Sequence, residues 1–184
     1  MSETKTLVFK NWKTKTVATL VAIVAAVAIP QILHLIGAAS GLGSALGEIF
    51  LPMHIAIFMV GLLAGPVAGV VAGALSPAIS FALTGMPAVA MLPYMVIELA
   101  VYGLVTGLLA SVKMPTIVKL LIAQIAGRGI RAIAIVIGFY AFSSPIGVAV
   151  IWNSILTGLV GLVLQWVLVP LTMFWIEAKA KKDE

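Results

Sequence analysis

Cysteine is absent from the 184-residue chain, which excludes a disulfide framework, a thiolate metal site and a cysteine nucleophile together. Charge is nearly as scarce. Asp, Glu, Lys and Arg make up 9% of the residues, against 62% hydrophobic ones. A globular domain carries about 25% charged and roughly 45–50% apolar residues. So few charges cannot cover the surface of a water-soluble domain, and a soluble enzyme is excluded. Disorder fails for the opposite reason, because too much apolar surface would stay hydrated. With a mean hydropathy of +1.22, the chain reads as an integral membrane protein, a single domain over 1–184 by length.

Other absences narrow the class. No stretch alternates polar with apolar residues over ten positions, so a β-barrel is excluded. There is no Walker lysine loop, nucleophile elbow or zinc-binding helix. The protein therefore does not hydrolyse ATP itself, and no nucleophile–base pair argues for an intramembrane enzyme. No cofactor is expected. No signal peptide is apparent before the first apolar run, so that run is expected to be retained.

What charge there is marks out the organisation. No Lys, Arg, Asp or Glu lies between Lys15 and Glu48, between Glu48 and Glu98, or between Arg131 and Glu177. A spanning helix needs about 20 mostly apolar residues. The expectation is an all-α bundle of six transmembrane helices, at about 16–36, 53–64, 67–84, 92–111, 117–140 and 149–176. Gly65-Pro66, Gly85-Met86-Pro87, Lys113-Met114-Pro115 and Ser143-Ser144-Pro145 supply the turns between them. Six spans put all nine lysines on one side: Lys5, Lys10, Lys13, Lys15, Lys113, Lys119, Lys179, Lys181 and Lys182. The positive-inside rule makes that side cytoplasmic, with both termini inside. The net charge of +5 thus speaks of topology, and no nucleic-acid partner is expected.

The opposite, outer side holds the unusual residues. Residues 37–52 form a long glycine-rich loop, either a bland connection or a lid over a cavity. Glu98, Arg128 and Arg131 fall within apolar spans, where ionised groups normally face a cavity or one another. Gln124, Arg128 and Arg131 share one helical face, and Gly127 and Gly129 beside them allow close backbone approach. Two readings are open. Glu98 and an arginine lock two helices, or one acid facing two arginines leaves a spare cation for a carboxylate or phosphate. Both hold if Arg128 pairs with Glu98 and Arg131 stays free. His34 and His54 flank the outer loop, either at a pocket mouth or without a role, and too few ligands stand by them for a metal. Tyr94 marks the outer end of the fourth span and is expected at the substrate pocket. Trp152 and Asn153 open the sixth, Trp152 as an interfacial anchor or a pocket residue, Asn153 as an amide that needs a partner. Trp12, Trp166 and Trp175 read as belt or lipid-facing residues. Small residues recur too. Ala18, Ala22 and Ala26 line one face of the first helix, and Gly61, Gly65, Gly69 and Gly73 suggest tight packing of the second and third.

Six short helices, that alanine stripe, and the stretches Leu51-Pro52-Met53-His54-Ile55, Gly61-Leu62-Leu63-Ala64-Gly65-Pro66 and Leu83-Thr84-Gly85-Met86-Pro87 are similar to the substrate-binding S component of energy-coupling factor (ECF) vitamin transporters. The resemblance runs over nearly the whole chain. It implies a plasma-membrane subunit that binds a vitamin near its outer face, under loops at about 37–52, 85–91 and 141–148. A transmembrane scaffold subunit and two cytoplasmic ATPases would be its partners and supply the energy. It further implies that Ala18, Ala22 and Ala26 contact the scaffold, and that Glu98, Arg128, Arg131 and Asn153 line the pocket. Pantothenate suits a spare arginine, while cobalamin, hydroxymethylpyrimidine and pyridoxine stay open. The rival from another class is a self-sufficient channel or ion-coupled carrier. No inverted repeat supports it, and one acid beside two arginines makes a poor cation path.

Overall fold

The computed structural model describes residues 9–180. Lys5, Lys181 and Lys182, counted above for topology, lie outside them. The described chain is all-α: α1 (Trp12–Ala39), α2 (Ala45–Phe50), α3 (Pro52–Ala64), α4 (Pro66–Thr84), α5 (Leu92–Leu109), α6 (Thr116–Phe142), α7 (Ala149–Thr157) and α8 (Leu159–Ala180). Six segments are long and apolar enough to cross a membrane, with α2 and α3 counting together as Ala45–Ala64. The six-span architecture read from the sequence is therefore present.

Local chemistry sets the ends. Asn11 caps α1, its side chain accepting from the Lys13 N–H at 3.0 Å. Proline opens α3, α4 and α5, where its missing N–H costs nothing. Gly65, at φ 93°, makes the turn from α3 into Pro66, a backbone angle that side chains resist. At the same end of the molecule, where Gly107 of α5 abuts the Gly65-Pro66 turn, the Lys119 ammonium donates to the Ala110 carbonyl at 2.9 Å, covering an orphan acceptor just past α5. Lys13, Lys15, Lys119 and Lys179 all fall at the same end of the bundle, because successive spans alternate in direction.

Two boundaries differ from the sequence reading. The expected loop 37–52 is largely helix: α1 runs on to Ala39 and α2 starts at Ala45. Only a short glycine-rich turn remains, because the composition that made the segment look flexible is also alanine- and leucine-containing helix. The expected single span 149–176 is broken at Gly158, which separates α7 from α8. Leu51 joins α2 to α3 in the left-handed conformation (φ 47°), so the second span is bent at its start.

The core is built around α5. Leu99 and Tyr102 are wholly buried, as are Ile57 and Phe58 of α3 and Leu120 of α6. The glycines of α3 and α4 do not serve a seam between those two helices. A Cβ on Gly69 or Gly73 would run into the α5 backbone at Gly103 and Leu99, and one on Gly61 would meet Thr106. The seam is with α5, since Gly103 offers the matching bare backbone. The alanine stripe is likewise turned inward. Ala22 (8% exposed) and Ala26 (0%) belong to the core, with Ala18 packed against it. The stripe expected to meet a scaffold is in this chain packed inside the bundle: a small-residue face lets any helix approach, and here α1 packs on α3 and α4.

Candidate ligand-binding site

A cavity of about 510 Å³ opens at the end of the bundle opposite the lysines. That volume lies within the range of roughly 300–1,000 Å³ found for small-molecule sites. α1 contributes Pro30 and His34, α3 His54, α5 Met95 and Glu98, α6 Arg128 and Arg131. The short helices cover it. α2 brings Gly47 and Glu48, and α7 brings Asn153, Ser154 and Thr157. Neither α2 nor α7 has a buried residue.

The charged group on the cavity wall is specific in its geometry. Glu98 is 2% exposed. Its Oε1 accepts from the Tyr102 hydroxyl at 2.7 Å, and its Oε2 accepts from Arg131 Nη1 at 3.0 Å. Arg128 Nε stands 4.0 Å from Glu98 Oε1, attracted but not hydrogen-bonded. The Nε–H groups of both arginines are buried without an acceptor. Unmade hydrogen bonds on buried guanidinium groups are costly. The expected division of labour is thus reversed: Arg131 pairs with the acid and Arg128 is the looser cation. Helical side chains slant toward the N-terminus of their own helix. On α6 this carries Arg131 back toward the level of Glu98, while Arg128 leans past it.

Backbone approach fixes the depth. Gly127 has the Tyr102 ring and the Glu98 carbonyl where a Cβ would stand, whereas Gly129 faces open space. Only the first of the two glycines serves the expected close approach. Tyr102, not singled out from the sequence, follows Glu98 by four residues, and that spacing was the signal. His54, 4% exposed, packs its ring 5.4 Å from that of Tyr102. His34 lies under α2, its ring pressed against Gly47.

Of the expected site residues, Glu98, Arg128, Arg131, His34, His54 and Asn153 come together on the cavity. Two do not. Tyr94 is buried away from it, its hydroxyl donating to Ser144 Oγ at 2.9 Å across Gly138. It ties the start of α5 to the turn after α6. Trp152 is 70% exposed, on the outer side of α7, as suits an interfacial anchor. Trp12 and Trp175 are exposed as well. Trp166 is not simply lipid-facing, because its indole N–H donates to Gln124 Oε1 at 2.7 Å. Gln124 in turn donates to Gln165 Oε1 at 2.8 Å. Gln124 thus shares a helix face with the arginines yet belongs to a different cluster. Sequence reasoning also passed over Gln165, a fully buried amide, and the methionines Met86, Met91 and Met95 on the cavity wall. Met86 and Met91 belong to the connection preceding α5, where nothing but hydropathy marks them. Among the described residues no three His, Asp or Glu side chains gather as a metal-ligand set.

Comparison with known protein families, with characterised proteins and with solved structures finds no match for this chain.

Proposed function

We propose that the protein is the membrane-embedded substrate-binding subunit of an ECF-type vitamin importer, taking a small carboxylate-bearing vitamin of the pantothenate kind. The observation that carries this reading is the cavity wall, where two partly buried arginines face one buried acid and keep unsatisfied, buried Nε–H donors beside open volume. A carboxylate can accept from a planar guanidinium in pairs. The methionine- and aliphatic-lined remainder suits a flexible chain better than a flat aromatic ring, which weighs against pyridoxine and hydroxymethylpyrimidine. Cobalamin is a poor fit to about 510 Å³. In this reading the lysine-bearing end is cytoplasmic and the cavity faces outward in the plasma membrane. Transport then depends on a scaffold subunit and two ATPases, bound through a surface other than the buried alanine stripe.

Mass spectrometry of the small molecule retained by the purified protein tests the site. A carboxylate vitamin is expected, and a neutral molecule would overturn the anion-binding reading. Affinity purification from the native membrane tests the transporter assignment. Recovery of two ATPases and a membrane scaffold is expected, whereas a chain that transports alone in liposomes is a carrier or channel. For orientation, a cysteine at Ser44 should react with an impermeant thiol reagent in intact cells. Labelling only after permeabilisation would invert the topology.

A further inference from the structure

We propose that Glu98 sets the valence of the ligand: by cancelling one of two guanidinium charges, it tunes the cavity to a monoanion and against dianions. The inference rests on the anion-binding reading above and adds to it the charge that the anion must carry.

The charges that face the cavity come from three helices. Arg128 and Arg131 of α6 and Glu98 of α5 lie deep, while Glu48 of α2 is exposed and accepts from Ser44 Oγ at 3.0 Å. α1 and α3 add only the imidazoles of His34 and His54. Glu48 is in solvent and screened. The deep set therefore holds two positive charges, on partly buried guanidinium groups, and one negative, on a buried carboxylate. Glu98 is not free to swing away, because Tyr102 and Arg131 hold one oxygen each. A monoanion beside Arg128 completes the neutralisation. A dianion brings its second charge against the Glu98 carboxylate at low dielectric, where like charges within a few ångströms repel strongly. A neutral isostere leaves Arg128 without a counter-charge. Glu98 is thus more than a helix lock, since a lock alone would not discriminate among ligand charges.

The test uses the purified protein and four pantoyl amides that differ only at one terminus: pantothenate (carboxylate), pantoyltaurine (sulfonate), the aminoethylphosphonate analogue at a pH where it is a dianion, and the primary amide of pantothenate. Calorimetry should show the carboxylate and sulfonate binding more tightly than the phosphonate and the amide by about tenfold or more. Glu98→Gln raises the buried charge by one and should shift the phosphonate-to-carboxylate preference by about tenfold or more toward the phosphonate. Arg128→Gln lowers it by one and should erase the preference for carboxylate over amide. If Glu98→Gln fails to fold, the wild-type series and Arg128→Gln still decide. Wild-type protein that binds phosphonate as well as carboxylate overturns the proposal, as do preferences unmoved in both folded variants. If no pantoyl compound binds but the retained molecule is another monoanion, the vitamin assignment falls, and the same carboxylate, phosphonate and amide series built on that molecule decides valence selection, equal binding of the phosphonate overturning it. A retained phosphate ester or dicarboxylate overturns valence selection while leaving an anion site. Protein that binds no anion removes both readings.

Discussion

Two polar clusters sit on α6 within two turns of one another, and they are finished differently. Gln124, Gln165 and Trp166 form a closed set: each amide meets the other or the indole, at 2.7–2.8 Å, and Gln165 Nε2 lies 3.5 Å from the Leu51 carbonyl. Arg128, Arg131 and Glu98 form an open set, charged, with two guanidinium N–H groups left over and about 510 Å³ of space beside them. Polar groups that exhaust one another hold helices in place. Polar groups that cannot do so, beside a cavity, are prepared for something that arrives.

The comparison breaks most visibly at Arg128. Arg128→Ala should weaken binding of the retained vitamin by about 2–5 kcal/mol, as for truncating one partner of a buried charged pair, with thermal stability in detergent unchanged or raised. A large loss of stability with affinity intact would move Arg128 into the closed class. Gln165→Leu should do the converse. It strands the Gln124 amide, costs about 1–3 kcal/mol of stability, and leaves ligand affinity alone. Tyr102→Phe tests the border between the two. Removing a hydrogen bond to a charged acceptor should cost about 1.5–3 kcal/mol, shared between stability and affinity, because Glu98 loses one of its two anchors. Trp152→Ala should change stability by no more than about 0.5 kcal/mol and affinity not at all. A measurable loss of affinity there would place Trp152 back at the cavity.

The span architecture was legible because charge is so scarce that each lysine and each charge-free stretch carries information. The charged site was legible for the same reason: Glu98, Arg128 and Arg131 stand out against apolar helices. What could not be read were directions. Which arginine meets Glu98 depends on the slant of side chains along α6, and a spacing of three residues does not encode it. Whether Ala22 and Ala26 face a partner or the molecule's own core is equally unmarked, since smallness serves any close approach. The segment 37–52 was misread as loop because its glycines outweighed the helix-forming Ala45-Leu46, and no local signal announces the left-handed Leu51. Gln165 escaped notice because one amide in an apolar run gives no hint of its partner 41 residues earlier.

The bare-backbone seam between α4 and α5 has a consequence for how the molecule breathes. With Gly69 against Gly103 and Gly73 against Leu99, backbone meets backbone along this part of the seam and leaves little side-chain bulk there to repack, so the two helices should move together as one stiff plate. α2 and α7, without a buried residue between them, belong to the least protected part of the structure. Amide hydrogen exchange should therefore be slowest around Leu99–Gly103 and fastest, within the helices, along Ala45–Phe50 and Ala149–Thr157. Bound ligand should slow exchange in those two short helices and leave the plate unchanged. The acid that fixes the charge of the site rides on the plate, so the covering helices can come and go while the electrostatic template beneath them keeps its shape.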